Sequence, residues 1–243
     1  MKNINHISAD APDKFEKSET KKQLSELQKQ LFALQNLFYA EAKHSLLIIL
    51  QGMDSSGKDS TIRHAFHGIN PQGCRVKSFK TPTEEEKLHD FLWRIYAHLP
   101  EKRMIQIFNR SQYEDILYPV VHGLLNKNQI AERNQAINNL EEHLQKNNTI
   151  ILKFYLHISQ KEQAERLEER LTNPEKKWKY NAGDQKEAKQ WNDYMEAYQN
   201  VFDGCKKHNP WIIIPSDEKW YRNYLVVKTI VETLENLNMK YPK

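Results

Sequence analysis

The chain has 243 residues, 39% of them hydrophobic, including five Trp, eleven Tyr and nine Phe, which suffices for one α/β domain with a large core and argues against global disorder. Its apolar runs stop far short of the ~18 residues that a membrane helix needs. Its first residues lack the apolar stretch of a secretory signal, and Cys74 and Cys205 have no metal-ligand spacing, so a reduced, cytoplasmic setting with no membrane partner is expected. A net charge of +4 is weak by itself and leaves nucleic acid, membranes and anionic substrates open.

Residues 1 to about 18 are polar and contain Ala11-Pro12, which predicts an extended arm. Leu24, Leu27, Leu31, Leu34 and Phe38 then recur at three- and four-residue steps, the mark of a helix with one apolar stripe, docked on the domain or on a neighbouring subunit. Five apolar runs follow: LLIIL at 46–50, RVKSF at 75–79, MIQIF at 104–108, TIILKFYL at 149–156 and WIII at 211–214. Runs that do not alternate suit strands buried on both faces, and helix-like sequence between them predicts a doubly wound, mostly parallel five-stranded α/β sheet. Ser159 and Glu162 open the helix after the fourth run as a capping box, and Asn173-Pro174 ends it. The basic, aromatic stretch 173–191 lies between two helices and is expected as an insertion over the carboxyl edge of the sheet.

Gly52 and Gly57 are four residues apart, Lys58 follows, and the segment joins the first strand to a helix-like stretch. That is the spacing and context of a phosphate-binding loop. Glycines let successive amides turn inward, the next helix adds its positive end, and the lysine ammonium bridges phosphoryl oxygens. The expected contact set is Gly52, Met53, Ser55, Ser56, Gly57, Asp59 and Ser60 around Lys58. Two positions depart from the common pattern: Asp59 replaces the usual Ser or Thr, and Asp54 puts a carboxylate inside the loop. A carboxylate there repels phosphate unless a cation screens it, which makes Asp54 a candidate Mg²⁺ ligand or base. Asp59 has a plainer reading, because a carboxylate in the first turn of a helix is favourable anyway.

The third run ends in Asn109-Arg110-Ser111-Gln112-Tyr113-Glu114-Asp115, where open α/β sheets gather ligand groups. Arg110 is placed there to neutralise phosphoryl charge, with Glu114 and Asp115 a helical turn beyond Asn109. Arg166 and Arg170 share a helix face just before the insertion. Within it, Lys176, Lys177 and Lys179 flank Trp178, a cluster suited to stacking a base, gripping a polyanion or anchoring a lid.

Taken together, LLIILQGMDSSGKDS, SFKTPTEEE, HDFLWR, FNRSQYEDIL, ERLEERLTNPEKKWKYNAGD and DEKWYRNY resemble family-2 polyphosphate kinases, from about Leu24 to the last helix. The FNRS-x-YED form is similar to the class III branch. The resemblance implies a three-layer P-loop kinase core related to thymidylate kinase, with a helical lid. It divides the chain into an arm and helix at 1–43 and a kinase domain at 44–243, the lid insertion being at about 173–191. It implies reversible, Mg²⁺-dependent transfer (Mn²⁺ able to stand in) between inorganic polyphosphate and AMP, ADP or ATP, with GMP and GDP as further acceptors. A homo-oligomer, dimer or tetramer, is implied, and no nucleic-acid partner. By motif, Asp54 and Lys58 match the loop aspartate and lysine, Arg110 the strand-end arginine, Lys80 the basic residue of the SFK segment, and Arg166 and Arg170 the arginines before the lid. Asn109 stands where class I has Asp, Glu114 lies in the stretch tied to monophosphate use, and Lys179 lies in the lid. Ala188 departs, standing where many relatives have a lid Arg or Lys, with Lys186 or Lys189 nearby to substitute. A polyanionic donor needs a basic groove, for which Arg63, Arg75, Lys77 and Lys80 are candidates. The rival readings are an ATP-dependent nucleoside monophosphate kinase and a P-loop switch or nucleic-acid binder. Asn126-Lys127-Asn128 stops short of a guanine-specifying motif, and no nucleic-acid module is recognisable.

Overall fold

A computed structural model describes residues 3–205 and 209–242 of the chain. Leu46 to Leu50 are at most 1% exposed, so strand β1 (Ser45–Gln51) is buried on both faces. It forms the middle of a five-stranded, wholly parallel sheet. β2 (Cys74–Ser78) and β3 (Ile105–Asn109) lie on one side, β4 (Thr149–His157) and β5 (Trp211–Pro215) on the other, in the order β2-β3-β1-β4-β5. Parallel neighbours require crossovers, and helices supply them. Leu46, Ile48 and Leu50 face α1 (Lys17–Glu41), α2 (Lys58–Ala65) and α10 (Lys219–Glu235). Leu47 and Ile49 face the opposite layer, built largely from α5 (Glu114–Val121), α6 (Lys127–Lys146) and α9 (Trp191–Gly204). Short helices α3 (Glu84–Lys87) and α4 (Trp93–Tyr96) fill the β2–β3 connection. α7 (Gln160–Thr172) leaves β4, and α8 (Ala182–Lys189) lies between it and α9.

This order creates the site. After β1 the chain crosses toward β2; after β3 it returns past β1 to β4. Register pairs Leu50 with Asn109, so the loops leaving β1 and β3 emerge side by side at the carboxyl edge, the topological switch point.

Four expectations are refined in detail. Segment 75–79 is not a strand buried on both faces: β2 is the sheet edge, and Val76 is 51% exposed. The polar N-terminal segment is docked rather than free. Ile4 is fully buried and its amide donates to Gln199 Oε1 at 2.9 Å, while Asp217 N donates to Ala9 O at 3.1 Å. The stripe on α1 is covered by α10 of the same chain, with Leu31 and Phe38 in the shared core. At α7, Ser159 caps the amide of Glu162 at 3.1 Å, but the Glu162 side chain turns to Arg166 instead of closing the box.

A buried polar group fixes the start of α5. Lys153 on β4 donates to Glu141 Oε2 at 2.7 Å, and the Tyr113 hydroxyl donates to Glu141 Oε1 at 2.7 Å. Burial, and next the Glu141 carboxylate, push the Tyr113 phenol well above its ordinary range, so it stays a donor. Tyr113 thereby pins the loop that carries Arg110 and Glu114.

Candidate active site

The loop 52–58 can close only with glycine at both ends. Gly52 has φ 151°, and a Cβ there would lie 2.7 Å from both Leu156 O and Ser56 Oγ. Gly57 has φ 101°, and a Cβ there would lie 2.0 Å from Arg222 Nη1. Gly57 also begins α2 without a side-chain cap, which leaves first-turn amides open to an anion. Lys58, the first residue of α2, bends back so that Nζ donates to Gly52 O at 2.7 Å and Met53 O at 3.2 Å. Burial, then the Arg110 cation, pull its pKa down to about 8.

Two arginines hold the loop from behind. Arg166 donates through Nη1 to Ser55 O (3.0 Å) and Ser56 O (3.3 Å), and through Nη2 to Ser216 O (2.9 Å) and Asp217 O (2.8 Å). Its Nε donates to Glu162 at 2.7 Å. Arg222 donates to Ser56 O at 3.2 Å and to Ser60 Oγ at 2.6 Å. With these carbonyls drawn outward, the loop is fixed as a cradle rather than left as a flexible turn.

At the β3 end, Arg110 adopts φ 63° while its amide donates to Leu50 O at 3.0 Å. Its guanidinium pairs with Asp54 and lies 3.6 Å from Glu114. Those carboxylates, Glu114 foremost, raise its pKa further and keep it charged. Asn109 Nδ2 donates to Asp59 Oδ1 at 2.6 Å, tying the end of β3 to the start of α2. Arg94, 5% exposed, donates to Lys80 O at 2.9 Å and to Asp115 Oδ2 at 2.7 Å, and so supports the Lys80 segment. Across the cleft, Arg170 pairs with Asp184 and joins α7 to α8. Glu187 on α8 accepts from the Tyr194 hydroxyl at 2.5 Å.

These groups enclose a cleft of about 920 Å³. Asp54, Ser55, Gly57, Lys58, Asp59, Ser60, Lys80, Asn109, Arg110, Glu114, Arg166, Arg170 and Lys179 all border it. Gly52, Met53 and Ser56 are not among its walls: the Gly52 and Met53 carbonyls hold Lys58, and Ser56 is fully buried. Arg63, Arg75 and Lys77 are not among its walls; Arg75 pairs with Glu101 at 3.0 Å on the sheet edge, and Lys77 lies over the Phe79 ring. Ala188 borders a narrow side pocket beside Asp54 and Arg110, whereas Lys186 and Lys189 do not border the cleft.

Arg222, Arg94, Gln163 and Asp184 were not singled out from the residues themselves. Gln163, whose Nε2 donates to Asp54 O at 3.0 Å, is one turn from Arg166 on α7, and that spacing could have flagged it. Arg222 carries no comparable local signal. For a metal, no three His, Cys, Asp or Glu side chains converge among the described residues. Asp54 offers one carboxylate at the cleft, which fits a hard cation completed by phosphate oxygens and water rather than a closed protein cage.

Comparisons with known proteins agree with this geometry. The family described as Polyphosphate kinase 2 matches residues 14–242. The chain is 47% identical over 211 residues to the AMP/ADP-polyphosphate phosphotransferase of Meiothermus ruber, covering 86% of this chain and 79% of that one. It is 43% identical over 223 residues to the ADP-polyphosphate phosphotransferase of Rhodopseudomonas palustris, covering 86% and 77%. Among solved structures, polyphosphate kinase 2 from Arthrobacter aurescens superposes with a TM-score of 0.95 at 37% identity, over 98% of this chain and 87% of that one.

Proposed function

The chain belongs to the polyphosphate kinase 2 family, and we propose that it transfers phosphoryl groups reversibly between inorganic polyphosphate and nucleotides, AMP to ADP and ADP to ATP. The observation that carries this reading is the cleft itself: a phosphate cradle bordered by Lys58, Lys80, Arg110, Arg166, Arg170 and Lys179 suits a donor with a negative charge on every phosphate. GMP and GDP are further acceptors in this reading, and the assembly is a cytoplasmic homo-oligomer.

The nucleophile is a nucleotide phosphate oxygen, already anionic, so no strong general base is required. Catalysis is alignment and charge neutralisation. The loop amides and Lys58 seat the terminal phosphoryl group. On substrate entry, the Lys58 ammonium exchanges the Gly52 and Met53 carbonyls for phosphoryl oxygens. Arg110 neutralises charge that builds on the transferring group, its fork aimed by Asp54 and Glu114. Arg170 and Lys179 close on the donor from the lid side. Asp54 would hold Mg²⁺ together with phosphate oxygens; when bound, the ion screens the carboxylate and polarises the phosphoryl group.

A donor–acceptor matrix tests the proposal, with polyphosphate or ATP as donor and AMP, ADP or GMP as acceptor. Polyphosphate should phosphorylate AMP and ADP with no ATP supplied. Product from AMP and ATP alone, with none from polyphosphate, would favour a nucleoside monophosphate kinase and overturn the reading.

A further inference from the structure

Five arginines border the cleft or support its walls, and four of them meet a carboxylate. Arg110 has Asp54 and Glu114, Arg166 has Glu162, Arg170 has Asp184, and Arg94 has Asp115. Arg222 has none among the described residues. Its guanidinium is fully buried and reaches only neutral acceptors: Ser56 O at 3.2 Å, Ser60 Oγ at 2.6 Å and Asn223 Oδ1 at 3.2 Å. A buried charge without a counter-ion is costly, and proteins normally supply one. Burial, then the nearby Arg166 cation, hold its pKa down to about 9, as expected for a cation lacking its anion.

The surroundings say where that anion comes from. Arg222 Nη1 lies against Gly57, where a Cβ would fall 2.0 Å from it, and the residue borders the cleft at the first turn of α2. A phosphoryl group seated in the cleft beside Gly57 would supply the missing counter-charge. We propose that Arg222 is a phosphate-positioning residue, a fixed cation at the edge of the cradle whose charge is completed by the terminal phosphoryl group of a condensed phosphate. Its bonds to Ser56 O and Ser60 Oγ keep the loop amides turned toward that group, and its place explains why position 57 admits no side chain. The inference rests on the reading of the cleft as a condensed-phosphate site.

The test compares full-length wild type with R222Q and R222K. Tripolyphosphate binding is measured by calorimetry, and the Tm is measured with and without tripolyphosphate. R222Q should bind tripolyphosphate roughly tenfold to a hundredfold more weakly, with R222K between the two. Its ligand-free Tm should be unchanged or higher, because an uncompensated buried charge has gone, while the Tm gain from tripolyphosphate shrinks. A merely structural arginine predicts the reverse: a lower ligand-free Tm and wild-type affinity in the folded fraction. R222Q affinity within twofold of wild type overturns this inference alone. Should R222Q not fold, the neutral R222M decides by the same comparison, and failure of both to fold also overturns it. Absence of tripolyphosphate binding by wild type overturns both this inference and the reading beneath it.

Discussion

The floor and the lid bring positive charge to one cleft in opposite ways. On the floor, Arg166 and Arg222 are 9% and 0% exposed, and their guanidinium groups are spent on backbone carbonyls and neighbouring side chains. In the lid, Trp178 is 76% exposed, Lys179 lies over its ring at 4.9 Å, and Lys176 pairs with Glu169 on α7. Bonds of this kind hold the loop backbone in one shape, leaving the Lys58 side chain to exchange partners. The described side-chain links of the lid to the body are Arg170 to Asp184, Lys176 to Glu169 and the Glu187 bonds to Tyr194 and His122, and the proposed function has it close on donors of different length. In the proposed function, precise placement of the reacting phosphoryl group belongs to the floor, and accommodation of the chain behind it to the lid.

That contrast can be broken most severely at the floor. Lys58→Ala should lower kcat/KM by about a thousandfold or more while leaving Tm within a few degrees. Activity within tenfold of wild type would remove Lys58 from the chemistry. Arg110→Lys should cost about a hundredfold, mostly in kcat, because an ammonium cannot hold Asp54 and a phosphoryl oxygen with one planar fork. Near-normal kcat would move Arg110 out of the site.

Between floor and lid, Asp184→Asn should raise KM for polyphosphate by roughly threefold to tenfold with kcat little changed, since it loosens the Arg170 link without touching the cradle. A fall in kcat alone would mean that the α7–α8 link aligns the reacting groups. Trp178→Ala should have the smallest effect, about threefold or less in KM, because the ring is exposed rather than packed on the body. A much larger loss would assign it a stacking role and make the lid as exacting as the floor.

Proton linkage gives an independent view of the floor. With its pKa at about 8, Lys58 loses its proton as pH rises through that value, so tripolyphosphate affinity should fall above about pH 8 and binding there should take up a proton. Folding stability moves the other way. Between about pH 8 and the ordinary lysine value of 10.5, the unfolded chain holds this proton and the folded one does not, so the Lys58 contribution to stability improves as pH rises. Calorimetry of wild type against Lys58→Ala checks both signs; an unchanged pH profile in the variant would locate the titrating group elsewhere.

Much of the floor was legible in the residues. Apolar runs located all five strands, and the glycine spacing with Lys58 located the cradle, because a strand, a tight turn and a helix start each need particular residues in a row. The edge position of β2 was not legible, since strand order depends on crossovers rather than on RVKSF itself. Ile4 was hidden in a polar segment because one buried side chain makes no periodic pattern. Lys153 sits inside an apolar run, and its partner Glu141 lies on another element. Arg222 reaches Ser56 across 166 positions, and no local signal spans that distance. The groove wall expected around Arg75 and Lys77 does not border this cleft: on the edge strand Arg75 pairs with Glu101 and Lys77 lies over Phe79, contacts that nearness to a motif in sequence does not reveal.

The most direct measurement is ATP formed from ADP and long-chain polyphosphate by purified protein with Mg²⁺ and no ATP supplied, read by luminescence against Lys58→Ala. Steady ATP formation by wild type and its loss in the variant is the predicted result. No ATP from wild type, while AMP and ATP together still yield ADP, would contradict the assignment of polyphosphate as the donor held in this cradle.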